Sequence, residues 1–104
     1  MNQLVQLLKP KSVAIIGASS KPMRAGNIIM KNLLHGGFEG VIMPVTPHHE
    51  AVCGVLAYRS VAELPIVPDI AIICTHASRN VQIFHDLAAK KVKAAIVLSA
   101  DMHF

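Results

Sequence analysis

Four short apolar blocks constrain this chain more than any other feature: "VAIIG" (13–17), "VIMPV" (41–45), "DIAIIC" (69–74) and "AAIVLS" (94–99). They run nearly uninterrupted and do not alternate with polar residues. That is the pattern of parallel strands covered by helices on both faces. None approaches the roughly 18–20 residues that a helix needs to span a bilayer.

Helical signals lie between the blocks. "AGNIIMKNLLHGG" predicts a helix over 25–35, with Ile28, Ile29 and Leu33 on one side and Gly36–Gly37 as its stop. "SRNVQIFHDLAAKK" predicts a helix over 78–91 with Ser78 as N-cap. Val81, Phe84, Leu87 and Ala88 lie at helical spacing, and Lys90–Lys91 sit at the negative end of the dipole. "SVAEL" reads as a one-turn capping box from Ser60 to Glu63, cut off by Pro65. A short N-terminal helix at 4–8, strands at 12–17, 40–45, 69–74 and 93–98, and a helical turn at 60–64 complete the order. A short strand at 54–58 could equally be extended loop.

Alternating strands and helices with right-handed crossovers give an α/β fold. The expected architecture is a Rossmann-like, doubly wound, mostly parallel sheet of four to five strands with flanking helices. The chain stops at "SADMHF", just after an apolar strand, where such a domain would continue with a covering helix. It is therefore expected to be truncated there, as the N-terminal part of a longer polypeptide.

Its 104 residues fit one small domain, and 53% of them are apolar. The N-terminus has its lysines after the apolar residues and lacks a small-residue cleavage site, so it does not read as a signal peptide. Cys53 and Cys74 lie in apolar stretches without CxxC spacing, which suits free buried thiols and a cytoplasmic location. The net charge of +4 contains no basic run longer than two residues, so it is not a nucleic-acid stripe and favours small anionic ligands at least as well.

The stretch "SVAIIGASSKPMRAGN" (12–27) is where those anions are expected. A strand opens at Gly17 into a turn of small residues, and a helix follows. Ala18 and Ser19 are small enough for backbone N–H groups to approach an anion, and Ser19 and Ser20 add hydroxyl donors. Lys21 and Arg24 supply charge, and the helix start near Gly26 points its positive end at the turn. The alternative is that Gly17 and Gly26 serve only turn and packing. The pattern is not a clean GxGxxG, and no acid ends the second strand where a nicotinamide fold would bind its ribose. "PVTP" (44–47) stands there, and Thr46, Pro47 and His48 suit an adenine lying against proline with a phosphorylated ribose nearby.

Taken in order, "SVAIIGASSKPMRAGN", "NLLHGGFEGVIMPVTP", "GVLAYRSVAELP", "DIAIICTHASRN" and "KAAIVLSA" resemble the CoA-binding domain of NDP-forming acyl-CoA synthetases. This is the domain type of the succinyl-CoA synthetase α subunit. The resemblance is nearest to the synthetase-like N-terminal region of bacterial protein lysine acetyltransferases, and it covers essentially the whole chain. It implies one CoA-binding domain over 1–104, with CoA or acyl-CoA as cofactor and ligase or acetyltransferase domains downstream. It implies that Gly17, Ala18, Ser19 and Ser20 cradle the CoA phosphates with Arg24 as a partner, and that Thr46 and Pro47 border the adenine and ribose. Thr75, His76 and Ala77 would line the pantetheine path, with Ser99 near its end. Many relatives carry a lysine after the proline of that second loop. This chain has His48–His49, and a neutral imidazole is a weaker phosphate partner.

The resemblance places phosphate transfer on a histidine of a later domain and acetyl transfer on a separate acyltransferase domain. None of the six histidines here matches that phosphorylated site. His48 and His49 are adjacent and point apart on extended chain, and no cluster has zinc-like spacing. Cys74 ends a buried strand with no evident base beside it. Alone, the chain is expected to bind and not to catalyse, with no nucleic acid or membrane partner and with homo-oligomers left open. Two other readings compete: an NAD(P)-binding oxidoreductase fragment, which needs the missing acid, and a non-binding regulatory scaffold.

Overall fold

A computed structural model describes residues 9–98 of the chain. The expected helix at 4–8 and everything from Ser99 onward lie outside these residues. In chain order the elements are β1 (Ser12–Ile16), α1 (Ala25–His35), β2 (Val41–Val45), β3 (Ala51–Val52), β4 (Val55–Leu56), a 3-10 turn (Val61–Glu63), β5 (Ile70–Ile73), a second 3-10 turn (Ala77–Arg79), α2 (Asn80–Ala89) and β6 (Ala95–Val97).

The main sheet has the order β2-β1-β5-β6, and every pair in it is parallel. β1 and β5 are its central strands. From β1 the chain crosses through α1 to β2 on one side, and from β5 it crosses through α2 to β6 on the other. Alternate residues of the buried strands therefore feed two cores. Ala14, Ile16, Met43, Val45, Ala71 and Ile73 pack with Ile83 and Leu87 of α2, together with Val61 and Leu64. Val13, Ile15, Ile70 and Cys74 pack with Met30 of α1 and with Val52, flanked by Ile29 and Leu33. Both faces of β1 are covered, which is why its sequence is apolar at every position from Val13 to Ile16. Pro44, which has no N–H, is tolerated because β2 lies at the sheet edge.

Several local expectations need correction. Ile28 does not share the buried side of α1 and is 45% exposed, whereas Met30 is fully buried. On α2 the buried residues are Ile83 and Leu87, while Val81 (70% exposed), Phe84 and Ala88 face outward. Two apolar stripes run along this helix, and the one nearer the sheet wins. Ser78 does not cap α2. The imidazole Nδ1 of His76 accepts the Ser78 N–H at 3.2 Å and opens the 3-10 turn that leads into the helix. The capping box at Ser60 is also displaced: Ser60 makes no side-chain cap, and the Glu63 carboxylate accepts the Arg59 N–H at 3.1 Å.

The segment at 54–58 becomes the second half of a hairpin, β3–β4, turning at Cys53 and Gly54. Both residues have left-handed backbone, φ 51° and 82°, as a two-residue hairpin with matching twist requires. Tyr58 then bridges to Val45 in parallel, and its backbone donates to Pro44 O and accepts from Thr46 N, each at 2.9 Å. This brings Arg59 and the 60–64 turn to the carboxyl ends of the strands.

Candidate functional site

β1 ends at Ile16, and the chain turns at Gly17 with φ +88°. A Cβ here would crowd the Thr75 side chain and the Cys74 carbonyl carbon, because the loops after β1 and β5 lie against each other. The N–H groups of Gly17 and Ala18 both go to Val45 O, at 2.9 and 3.3 Å. Those two amides therefore extend the sheet, and the loop first leaves it at Ser19. Ser19 Oγ accepts the Lys21 N–H at 3.0 Å, a local turn that leaves the hydroxyl proton free to donate outward. α1 then begins after Arg24 with no side-chain cap; the Asn27 N–H donates to Arg24 O at 3.0 Å, and the N–H groups of Ala25 and Gly26 and the helix's positive end are left toward the loop.

Around this turn lies a cleft of about 1200 Å³, roomy enough for a nucleotide with a long appendage. It is built from the loops after β1, β2 and β5, from the start of the 60–64 turn and from the inner side of α2. This is the place, outside the carboxyl ends of the two strands where the order reverses, at which doubly wound sheets take ligands.

The cleft wall includes Gly17, Ala18, Ser19, Lys21, Arg24, Gly26, Thr46, Pro47, His48 and Thr75. Ser20, His76 and Ala77 are exposed and do not contribute to it, and Ser99 lies outside the described residues. Thr46 is buried, with its hydroxyl oxygen accepting the His48 N–H at 3.3 Å, so it shapes the second loop. Thr75 donates its hydroxyl to Asn80 Oδ1 at 3.0 Å, which joins the third loop to the start of α2.

Two further cations, Arg59 and Arg79, also line the cleft. Neither carries a local signal in the sequence. Arg59 is brought in by the Tyr58 bridge, and Arg79 by the 3-10 turn before α2. Four cationic side chains, Lys21, Arg24, Arg59 and Arg79, thus face a single carboxylate, Asp86, whose Oδ1 already accepts a hydrogen bond from Gln82 Nε2 at 2.9 Å. The cleft is an anion site by charge as well as by backbone polarity. Cys74 lies at its floor, but burial pushes the thiol up to about 11, so it stays protonated and un-nucleophilic near neutral pH. No three His, Cys, Asp or Glu side chains converge among the described residues. Within the same residues, no helix is long and apolar enough to cross a membrane.

A parallel α/β sheet with a cationic, glycine-turned cleft at its switch point defines a nucleotide-binding domain of the Rossmann-like class. Within that class the chain belongs to the CoA binding domain family, whose pattern it matches over residues 11–103. It is 39% identical to the α subunit of acetate–CoA ligase [ADP-forming] I of Pyrococcus furiosus, a match covering 93% of this chain and 22% of the relative. It is 34% identical to 4-hydroxybutyrate–CoA ligase [ADP-forming] of Nitrosopumilus maritimus, covering 90% of this chain and 13% of the relative. Among solved structures, the dinucleotide forming acetyl-coenzyme A synthetase 1 of Ca. Korarchaeum cryptofilum, in complex with phosphate and ADP, superposes with a TM-score of 0.90 at 31% identity. That match covers 98% of this chain and 22% of the other. The chain thus spans less than a quarter of the length of these relatives.

Proposed function

We propose that the cleft binds coenzyme A or its thioesters, and that the chain is the CoA-binding domain of an ADP-forming acyl-CoA synthetase-type protein of the cytoplasm. The diphosphate lies at the turn from Ser19 to Gly26, held by the start of α1, Arg24 and Lys21. The adenine lies toward Thr46, Pro47 and His48, and the pantetheine arm runs past Thr75. Arg59 and Arg79 compensate the remaining phosphate charge. His48 stands where a lysine would bind phosphate more strongly, and these arginines offset that loss. Acyl and phosphoryl transfer belong to other parts of the parent protein. The ligase relatives favour a ligase parent over an acetyltransferase one.

The observation that carries this reading is the charge of the cleft: four cations against one engaged carboxylate, around an uncapped helix start. NAD has one phosphate fewer than CoA and wants an acid at the end of β2, where this chain has Thr46. Calorimetric titration with CoA, acetyl-CoA, NAD and ATP tests it. CoA and acetyl-CoA should bind most tightly, and saturation at a hundredfold over Kd should stabilise the fold by about 2.7 kcal/mol. Tighter binding of NAD, or no stabilisation by any of the four ligands, contradicts the reading.

A further inference from the structure

Asn27 sits in the first turn of α1 with its side chain almost completely buried, at 3% exposure. It is not part of the cleft wall. Its amide Nδ2 donates to the carbonyl oxygen of Ser19 at 3.0 Å and reaches the Sγ of Cys53 at 3.6 Å. One side chain thus touches the anion turn, eight residues earlier, and the tip of the β3–β4 hairpin, 26 residues later.

The first contact bears on the turn's shape. A peptide unit is planar and trans, so the C=O of Ser19 and the N–H of Ser20 point in opposite directions. Drawing the oxygen inward to Asn27 turns the Ser20 N–H outward. Flipping the same peptide would present a carbonyl oxygen to any bound phosphate and repel it. The turn's own hydrogen bonds, Lys21 N–H to Ser19 Oγ at 3.0 Å and Arg24 N–H to Lys21 O at 3.4 Å, are short-range and do not fix that peptide. The second contact reaches a half-buried thiol on left-handed backbone, φ 51°, at the hairpin turn.

We propose that Asn27 is a positioning residue: it holds the Ser19–Ser20 peptide in the orientation that accepts an anion and couples that orientation to the hairpin tip at Cys53. The inference rests on the reading of the cleft as a CoA site. It adds that filling the cleft changes the accessibility of a thiol outside it.

The chain has two cysteines, and Cys74 is buried with its ionisation suppressed, so N-ethylmaleimide labelling reads Cys53. A Cys53→Ser variant supplies the background. Acetyl-CoA is the ligand, because its sulfur is blocked. In the wild type, acetyl-CoA should slow labelling severalfold, and in Asn27→Ala saturating acetyl-CoA should leave the rate unchanged. Asn27→Ala should also label severalfold faster than wild type without ligand. The isosteric Asn27→Asp sets two oxygens against each other and should raise the acetyl-CoA Kd of the folded protein by about tenfold or more, a loss of the size that follows from removing a buried carbonyl's donor, while its buried, unpaired carboxylate lowers Tm. Wild-type affinity in both variants overturns the inference while leaving the CoA reading intact. If the wild type binds no acetyl-CoA, the CoA reading fails, and the ligand-free labelling rates still decide about Asn27: equal rates in wild type and Asn27→Ala sink it.

Discussion

The carbonyl oxygen of Gly17 occupies the place where a side chain at position 26 would begin. The end of β1 and the first turn of α1 therefore meet backbone to backbone, and this contact sets where the helix aims its positive end. Gly26→Ala should destabilise the fold by about 1–3 kcal/mol through overpacking. On an open helix the same change would stabilise by about 0.5–1 kcal/mol. Urea unfolding reads the sign, and a stabilised variant would mean that the two segments are not in contact.

Arg24 is exposed at the mouth of the cleft, beside the uncapped start of α1. Arg24→Ala should weaken CoA binding by about tenfold or more, the scale of one charge-assisted hydrogen bond of about 1.5–3 kcal/mol, and should leave Tm within a few degrees of wild type. Ser19→Asp, which puts a negative charge in the turn, should do the same. Arg59→Gln tests the far side of the cleft and should also weaken CoA. Titration calorimetry at two salt concentrations checks all three, and wild-type affinity in each would place the ligand elsewhere.

The strands β1, β2 and β5 were legible because both faces of the sheet are covered. β1, β2 and β5 fall within a residue or so of the apolar blocks, and α1 ends at Gly36 as its glycine pair implies. What failed had physical causes. On α2 a rich apolar composition offers two stripes at helical spacing, and only the sheet selects Ile83 and Leu87 over Val81 and Phe84. The hairpin turn at Cys53–Gly54 lacks an Asn or Asp to announce it. The turn from Gly17 to Gly26 was readable from strand, small residues and cations in a row. Arg59, Arg79 and Asn27 were not, because long-range pairing brings the first into the cleft, an irregular turn the second, and burial hides the role of the third.

His76, not Ser78, holds the start of the second 3-10 turn. His76→Ala should therefore cost about 1 kcal/mol, typical of losing a cap. Ser78→Ala should cost less, because only its exposed hydroxyl contact with His76 Nδ1, at 3.0 Å, is removed. Chemical denaturation of the two variants ranks them, and the reverse order would return the cap to Ser78.

Burial raises the Cys74 thiol from 9.0 to about 11 in the folded state. Its contribution to stability is fully present below pH 9, where the unfolded thiol is also protonated. Above pH 9 the unfolded chain releases that proton first, so stability falls as pH rises toward 11. Unfolding measured from pH 8 to 11 should decline more steeply in the wild type than in Cys74→Ala. Parallel curves would mean that the thiol is accessible when folded.

The account stands or falls on where CoA binds, and backbone amide resonances followed through a CoA titration report that residue by residue. The largest shifts should appear at Ser19, Gly26 and Thr75, with smaller ones at Arg59 and Arg79. Shifts confined to the outer side of α2 around Val81 and Phe84, with Ser19 to Gly26 unmoved, would contradict it.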